Sequence, residues 1–363
     1  MENFKEILRH FNIEGEVMDV STFGDGLIND SYLVKTEEGK PDYVLQRINH
    51  NVFKDVDGMQ RNIESVTAHL RSKLISSGEK DVERKVLSFV PAKEDCKTYY
   101  FDGENYWRLS YFIEDTVTLS EVTPSTAAYA GKAFGKFQKM LSDIKDELVE
   151  SIPDFHNMEF RLRQLHDAVE ADSAGRVAEV EDLLKAISER EEEMTKPERM
   201  HREGKLPKRI CHCDTKVNNM LFDKSGEVLC VIDLDTVMPS FIFSDFGDFL
   251  RTGACTTAED EPELSKIDFD MDIFKAFAGG YLSEAREFLT KEEVDWLPEA
   301  VALFPYMQAV RFLTDYINGD TYYKIRYPEH NLVRTRAQMR LLEVIESRLP
   351  EIREYISTLR NAD

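Results

Sequence analysis

The sequence predicts an α+β protein in two parts, a β-rich first part and a mainly helical second part. Three observations carry this. Short runs of β-branched and aromatic residues, broken by glycine-containing turns, fill the first 113 residues. Apolar residues at helical spacing dominate after Glu114. Between residues 210 and 235 a polar loop is followed by two apolar runs around a turn.

Each element has a local reason. Val17 to Phe23 reads as a strand, followed by a turn over Gly24-Asp25-Gly26-Leu27-Ile28-Asn29-Asp30-Ser31. Tyr32 to Val34 and Tyr43 to Ile48 are further strands, parted by Glu37-Glu38-Gly39-Lys40-Pro41. Met59, Ile63, Val66, Leu70 and Leu74 share one helical face, which predicts a helix over 58–76. Val86 to Val90, Thr98 to Phe101 and Tyr106 to Phe112 complete an antiparallel sheet. Residues 121–143 and 158–190 are expected to be helical, and 262–361 to hold several long helices. The charged run Glu189 to Lys208 is expected to be a solvated helix face.

Composition bounds the function. The chain has 363 residues, 42% hydrophobic and 32% charged, in the range of a globular protein able to bury two cores. Its 46 basic and 69 acidic residues give a net charge of −23, which argues against nucleic acid and anionic membranes as partners. No apolar run is long enough to span a bilayer, and the first residues lack a secretory apolar core. The five cysteines, an odd number without a framework spacing, suggest reduced thiols and a cytoplasmic location.

The most specific segment is His212-x-Asp214-x4-Asn219, followed by a hairpin with its turn at Asp223 to Gly226 and an apolar run ending at Asp233. Phosphoryl transfer from ATP requires a carboxylate to orient the attacking hydroxyl, and an amide and a second carboxylate to hold Mg²⁺ on the phosphates. Asp214, Asn219 and Asp233 supply those groups in that order. The bland alternative is a polar hairpin whose Asp and Asn residues cap turns. The Gly24-Asp25-Gly26 turn is a candidate phosphate cover, because glycine lets backbone N–H groups approach phosphate closely. An ordinary hairpin would read the same way.

Together these segments resemble the aminoglycoside phosphotransferase and choline kinase group, a branch of the protein-kinase-like fold. The resemblance is closer still to the N-acetylhexosamine 1-kinases. It is carried by Gly24-Asp25-Gly26 with Ile28-Asn29, Asp214 to Asn219, Ile232 to Thr236 with Met238-Pro239, and Asp245-Phe246-Gly247-Asp248. Arg311-Phe312-Leu313 with Asp315-Tyr316 and the run Tyr327 to Arg336 extend it almost to the C-terminus.

The resemblance implies two lobes, 1–113 as a β-rich nucleotide-binding N-lobe and 114–363 as a helical C-lobe. It implies ATP and Mg²⁺ as cofactors and a small sugar as partner, phosphorylated on the anomeric hydroxyl of N-acetylglucosamine or N-acetylgalactosamine. Another small alcohol, such as a different sugar, an aminoglycoside or a choline-like amine, is the alternative acceptor. A binding module without catalysis is a further one. Protein kinases place a lysine on the third strand with a glutamate partner on the next helix. Here Gln46 stands at that position, with Arg47 on the opposite face of the strand and Glu64 on the helix.

Lys216, two residues after Asp214, is expected to replace the missing charge. Asp245 lies beyond Pro239 in a helix-like stretch, so Asp233 is preferred as the metal ligand and Asp245 as a structural acid. Asp235 is either a second metal contact or a backbone partner. Arg311 and Asp315, spaced i, i+4, are expected to form a pair. With Tyr322 and Tyr323 they are candidates for the sugar site.

Overall fold

A computed structural model describes residues 2–24, 28–119 and 121–360. Its contacts group into two compact units. One comprises Met1–Thr118, Asp143–Pro153 and Asn219–Met238; the other comprises Leu119–Ser142, Asp154–Asn218 and Pro239–Asp363. The expected boundary at 113/114 was a single cut. The observed grouping instead returns two later segments to the N-terminal unit.

The N-terminal unit is built on a six-stranded antiparallel sheet. After a short helix α1 (Glu2–Leu8) come β1 (Val17–Thr22), β2 (Asp30–Thr36) and β3 (Tyr43–Ile48). The long helix α2 (Val56–Ser76) and a single turn α3 (Val82–Lys85) follow, then β4 (Phe89–Val90), β5 (Tyr100–Phe101) and β6 (Tyr106–Tyr111). The order is β1-β2-β3-β6-β4, with β5 also on β6.

Strand alternation divides the two faces. Val34, Tyr43, Leu45, Val90, Trp107 and Leu109 form a core with Ile7, Leu8 and Phe11. The register Ser31↔Gln46↔Arg108 aligns a polar row across β2, β3 and β6, one residue out of phase with the core row Tyr32↔Leu45↔Leu109. The expected strand at Val86–Val90 is only two residues long. Asp81 adopts a left-handed conformation (φ 55°) and starts α3 immediately before it.

A hairpin, Met220–Phe222 paired with Val228–Val231, joins this unit through the bridge Val117↔Phe222. Asn62 on α2 fastens both returning segments. Its Nδ2 donates to the carbonyls of Val149 (2.7 Å) and Val237 (3.0 Å), and its Oδ1 accepts from Val149 N–H (3.0 Å).

The second unit is mainly helical. Its elements are α4 (Pro124–Leu141), α5 (Met158–Ala171), α6 (Glu181–Ser188), α7 (Glu191–Met194), α8 (Lys196–Arg202), β7 (Arg209–Cys211), α9 (Phe243–Gly253), α10 (Met271–Ala285), α11 (Lys291–Asp295), α12 (Leu297–Ile317) and α13 (His330–Arg360). The stretch expected to be helical over 158–190 is broken. Asp172 turns left-handed (φ 37°), and Asp172-Ser173-Ala174-Gly175 ends α5 before α6 begins. The charged run 189–208 is only partly a solvated face, because Glu198 is buried.

α4 and α10 touch backbone to backbone. A Cβ on Gly131 would lie 2.1 Å from the Phe277 carbonyl oxygen, and one on Gly280 would lie 2.2 Å from that of Ala128. Gly247 does the same for α9, where a Cβ would meet the Ala300 carbonyl at 2.5 Å on α12. These contacts bring Tyr281 of α10 within hydrogen-bonding reach of Gln138 on α4. Among the described residues no helix is long and apolar enough to cross a membrane.

Candidate active site

The 210–219 loop leaves β7 at Cys211 and is held from below by α9. Asp245, on the first turn of α9, accepts N–H bonds from His212 (3.0 Å) and Cys213 (2.8 Å). Cys213 is itself left-handed (φ 65°), a strained conformation for a side-chain-bearing residue. Gln138 donates to the same carboxylate at 2.7 Å and accepts from the Tyr281 hydroxyl. One turn further on, Asp248 accepts from Thr215 N–H (3.1 Å) and from Arg251 (3.1 Å).

Burial pushes the Asp245 carboxyl above its ordinary value, opposed by His212 and the N–H bonds. Burial acts on Asp248 in the same sense, but Arg251 and Lys216 outweigh it and hold that carboxyl low. These two acids are committed to the loop backbone, as expected of Asp245.

Asp214, by contrast, is only half-buried. Its Oδ1 lies 3.1 Å from Lys216 Nζ, and the Asp214 charge raises the lysine's pKa. The Asp214 N–H donates to His212 Nδ1 at 3.3 Å, which fixes the buried imidazole under the loop.

In the N-terminal unit the hairpin sets the second group of residues. Ile232 N–H donates to the Asn219 carbonyl at 2.9 Å, continuing the Met220↔Val231 register. This binds the start of one arm to the residue before Asp233. The strand stops at Val231, two residues short of the expected end, and Asp233 is left-handed (φ 58°, ψ 57°) and exposed. Asp235 is buried, and its partners decide its role. It forms an ion pair with Arg108, both side chains 3% exposed, and accepts from Asn29 Nδ2 at 2.6 Å. Its carbonyl accepts from Ser151 Oγ at 2.7 Å.

Gln46 joins the same web, donating to Ser31 Oγ (3.0 Å) and accepting from Arg108 Nε (2.9 Å). Arg47 is on the other face, paired with Asp30 through Nε at 2.9 Å. Glu64 accepts from Thr98 Oγ1 at 2.7 Å.

Arg108 and Gln138 were not singled out from sequence. Arg108 had a signal: it is the one charge in Tyr-Trp-Arg-Leu-Ser-Tyr, and a charge in an apolar strand must be paired or used. Asn29 was readable as a turn residue able to bond phosphate or substrate, but its partner Asp235, 206 residues away, was not. Gly24 has φ 72°, which suits a glycine turn. Asp25 and Gly26 lie outside the described residues.

The expected Arg311–Asp315 pair does not form. Asp315 accepts from the N–H groups of Thr321 (2.9 Å), Tyr322 (2.8 Å) and Tyr323 (2.9 Å) and from Asn331 Nδ2 (2.9 Å), so its carboxylate is spent on the turn that carries the tyrosines. Arg311 instead donates to Gln308 (2.8 Å) and lies over the rings of Phe155 (5.2 Å) and Tyr323 (5.7 Å). Tyr322 is 63% exposed, while the Tyr323 hydroxyl is buried.

An antiparallel sheet unit, a helical unit and this loop-and-hairpin arrangement define a protein-kinase-like fold. The chain belongs to the phosphotransferase enzyme family (APH), whose model matches residues 19–270. Solved structures agree in fold. An aminoglycoside phosphotransferase from Alicyclobacillus acidocaldarius is 11% identical with TM-score 0.61, covering 98% of this chain and 96% of that one. A spectinomycin phosphotransferase, in complex with ADP and spectinomycin, is 12% identical with TM-score 0.57, covering 96% and 98%. A choline kinase from Streptococcus pneumoniae is 14% identical with TM-score 0.52, covering 95% and 98%.

Proposed function

We propose that the chain transfers the γ-phosphoryl group of ATP to the anomeric hydroxyl of an N-acetylhexosamine, giving the sugar 1-phosphate. The observation that carries the phosphotransfer reading is the contrast within the loop. Its backbone is captured by Asp245 and Asp248, while Asp214 and Lys216 are only half-buried and pair with each other. The N-acetylhexosamine itself rests on the resemblance of the C-terminal segments.

In this reading Asp214 accepts the proton of the attacking hydroxyl and orients its oxygen. Lys216, kept protonated by Asp214, offsets charge on the transferring group. Gln46, held by Ser31 and Arg108, faces the nucleotide, and the Gly24–Gly26 turn covers its phosphates. Asn219 and Asp233 would hold Mg²⁺. The donor set fits, because both offer oxygen and Mg²⁺ takes one or two protein ligands alongside phosphate and water. Held there, Mg²⁺ would supply neutralising positive charge to the nucleotide phosphates. Arg311, Tyr322 and Tyr323 contact the acceptor, and Asp315 positions the turn beneath them.

An ATP-consumption screen over free monosaccharides, aminoglycosides and choline tests this, with NMR to locate the phosphate. The expected product is an N-acetylhexosamine 1-phosphate. Turnover with choline or an aminoglycoside but no sugar would reject the acceptor. Consumption with none of them would reject the transfer.

A further inference from the structure

Two arginines of the helical unit meet at Phe155. Arg161, on α5, donates to the Phe155 carbonyl from Nε (3.1 Å) and Nη2 (2.8 Å) and to Gln164 from Nη1 (2.8 Å). Arg311, on α12, has its guanidinium carbon 5.2 Å from the centre of the Phe155 ring. Both are half-buried, and neither forms an ion pair among the described residues. Arginines nearby behave differently: Arg176 pairs with Asp320 at 2.6 Å, and Arg251 pairs with Asp248 and Glu259. In a chain with 23 more acids than bases, two adjacent half-buried guanidiniums with no carboxylate in ion-pair contact stand out, although Asp154 acts on Arg161, Asp248 on His156 and Glu259 on Tyr323 at longer range.

Two polar atoms beside them have no hydrogen-bond partner among the described residues. His156 stacks on Phe155 at 4.3 Å, and its Nδ1 is buried with no hydrogen bond. Tyr323, whose ring centre lies 5.7 Å from the Arg311 guanidinium carbon, also has its hydroxyl buried without a partner. Unpartnered buried polar atoms are rare in folded proteins, and the two on this cluster leave bonding capacity that a ligand can fill. Burial, then repulsion from Arg311, lowers the Arg161 pKa to about 10. Repulsion of that kind is relieved by an acceptor oxygen.

We infer that Arg161, Arg311, His156 and Tyr323 form a donor cluster that takes an oxygen-bearing substituent of the acceptor, an amide carbonyl or a carboxylate, and rejects an ammonium group. The planar guanidinium fork matches a carbonyl or carboxylate, and phenol and imidazole N–H add donors. An ammonium offers only donors and would face two like charges. This rests on the proposed transfer to a small alcohol, and it makes Arg161 and His156 determinants of acceptor choice.

The test uses the intact protein with N-acetylglucosamine, glucosamine and glucuronic acid, measuring both binding by calorimetry and kcat/KM. The wild type is expected to favour the acetamido sugar or the uronic acid over glucosamine by at least tenfold. Arg161→Gln and Arg311→Gln should each reduce that ratio at least fivefold with the ATP KM unchanged. Arg161→Lys, which keeps charge but loses the fork, should fall between. Melting temperatures identify folded variants, and Tyr323→Phe serves as a milder probe if the arginine variants do not fold. Equal binding of glucosamine, unchanged discrimination in the folded variants, or no binding of any sugar overturns the inference. Selective binding of the oxygen-bearing sugars without turnover would instead remove the kinase reading and leave the cluster's preference standing.

Discussion

Asp235 and Asp245 are both buried acids beside a more accessible one, Asp233 in the N-terminal unit and Asp214 in the helical unit. They are held in opposite ways. Asp235 is neutralised by a cation from the sheet, Arg108, and bonds side chains. Asp245 is satisfied by two backbone N–H groups and an amide side chain. The first arrangement fixes the turn behind Asp233 through charge. The second fixes the path of the loop that presents Asp214 through geometry. In each unit the buried acid holds backbone or a neighbouring turn, and in the proposed reading the more accessible acid does the chemistry, so burial and bonding would separate roles that residue type does not.

The largest expected effect is at Asp233. Asp233→Ala should abolish transfer and weaken Mg·ATP binding in calorimetry while leaving the fold intact, because the side chain is exposed. Loss of metal binding in Asp245→Ala but not in Asp233→Ala would reverse the assignment. Arg108→Ala should instead destabilise, by about 3–5 kcal/mol, because it strands a buried carboxylate. Chemical denaturation measures this, and Arg108→Met with Asp235→Leu should recover part of the loss. A neutral result for Arg108→Ala would remove the claim that charge fixes this turn.

Lys216→Ala should slow transfer roughly tenfold or more if the lysine offsets developing charge. Arg47→Ala should stay within about twofold, since Arg47 is exposed and paired with Asp30. The opposite order would place Arg47 at the phosphates.

The smallest effect is a pH dependence away from both acids. Burial raises the Glu198 carboxyl from 4.5 to about 7. The folded state therefore binds a proton that the unfolded state has released, and stability falls as pH rises from 4.5 toward 7. Glu198→Gln should raise the melting temperature by a few degrees at pH 8, with the gain shrinking toward pH 5. A gain independent of pH would exclude ionisation as its cause.

Much of this was legible in the residues. Strand alternation put Gln46 and Arg47 on opposite faces, and the register has Gln46 in the polar row with Arg108. The hairpin and the helix carrying Asp245 were also readable, because a turn over Asp223–Gly226 and a proline at 239 punctuate them. What escaped was non-local. Asn29 and Asp235 are distant in sequence, and Gln138 reaches Asp245 only because glycines let α4 and α10 pack at backbone distance. The Arg311–Asp315 pair failed for a related reason. Helical spacing gives a shared face, but three N–H groups of the following turn compete for the carboxylate and win.

The division of labour between accessible and buried acids is tested most directly by Asp214→Asn in single-turnover phosphoryl transfer, with Mg·ATP affinity and melting temperature measured on the same sample. The predicted result is transfer slowed at least about a hundredfold, the loss expected for a positioned base, with affinity and melting temperature close to wild type. Transfer near the wild-type rate, or a loss matched by a fall in melting temperature, would contradict it.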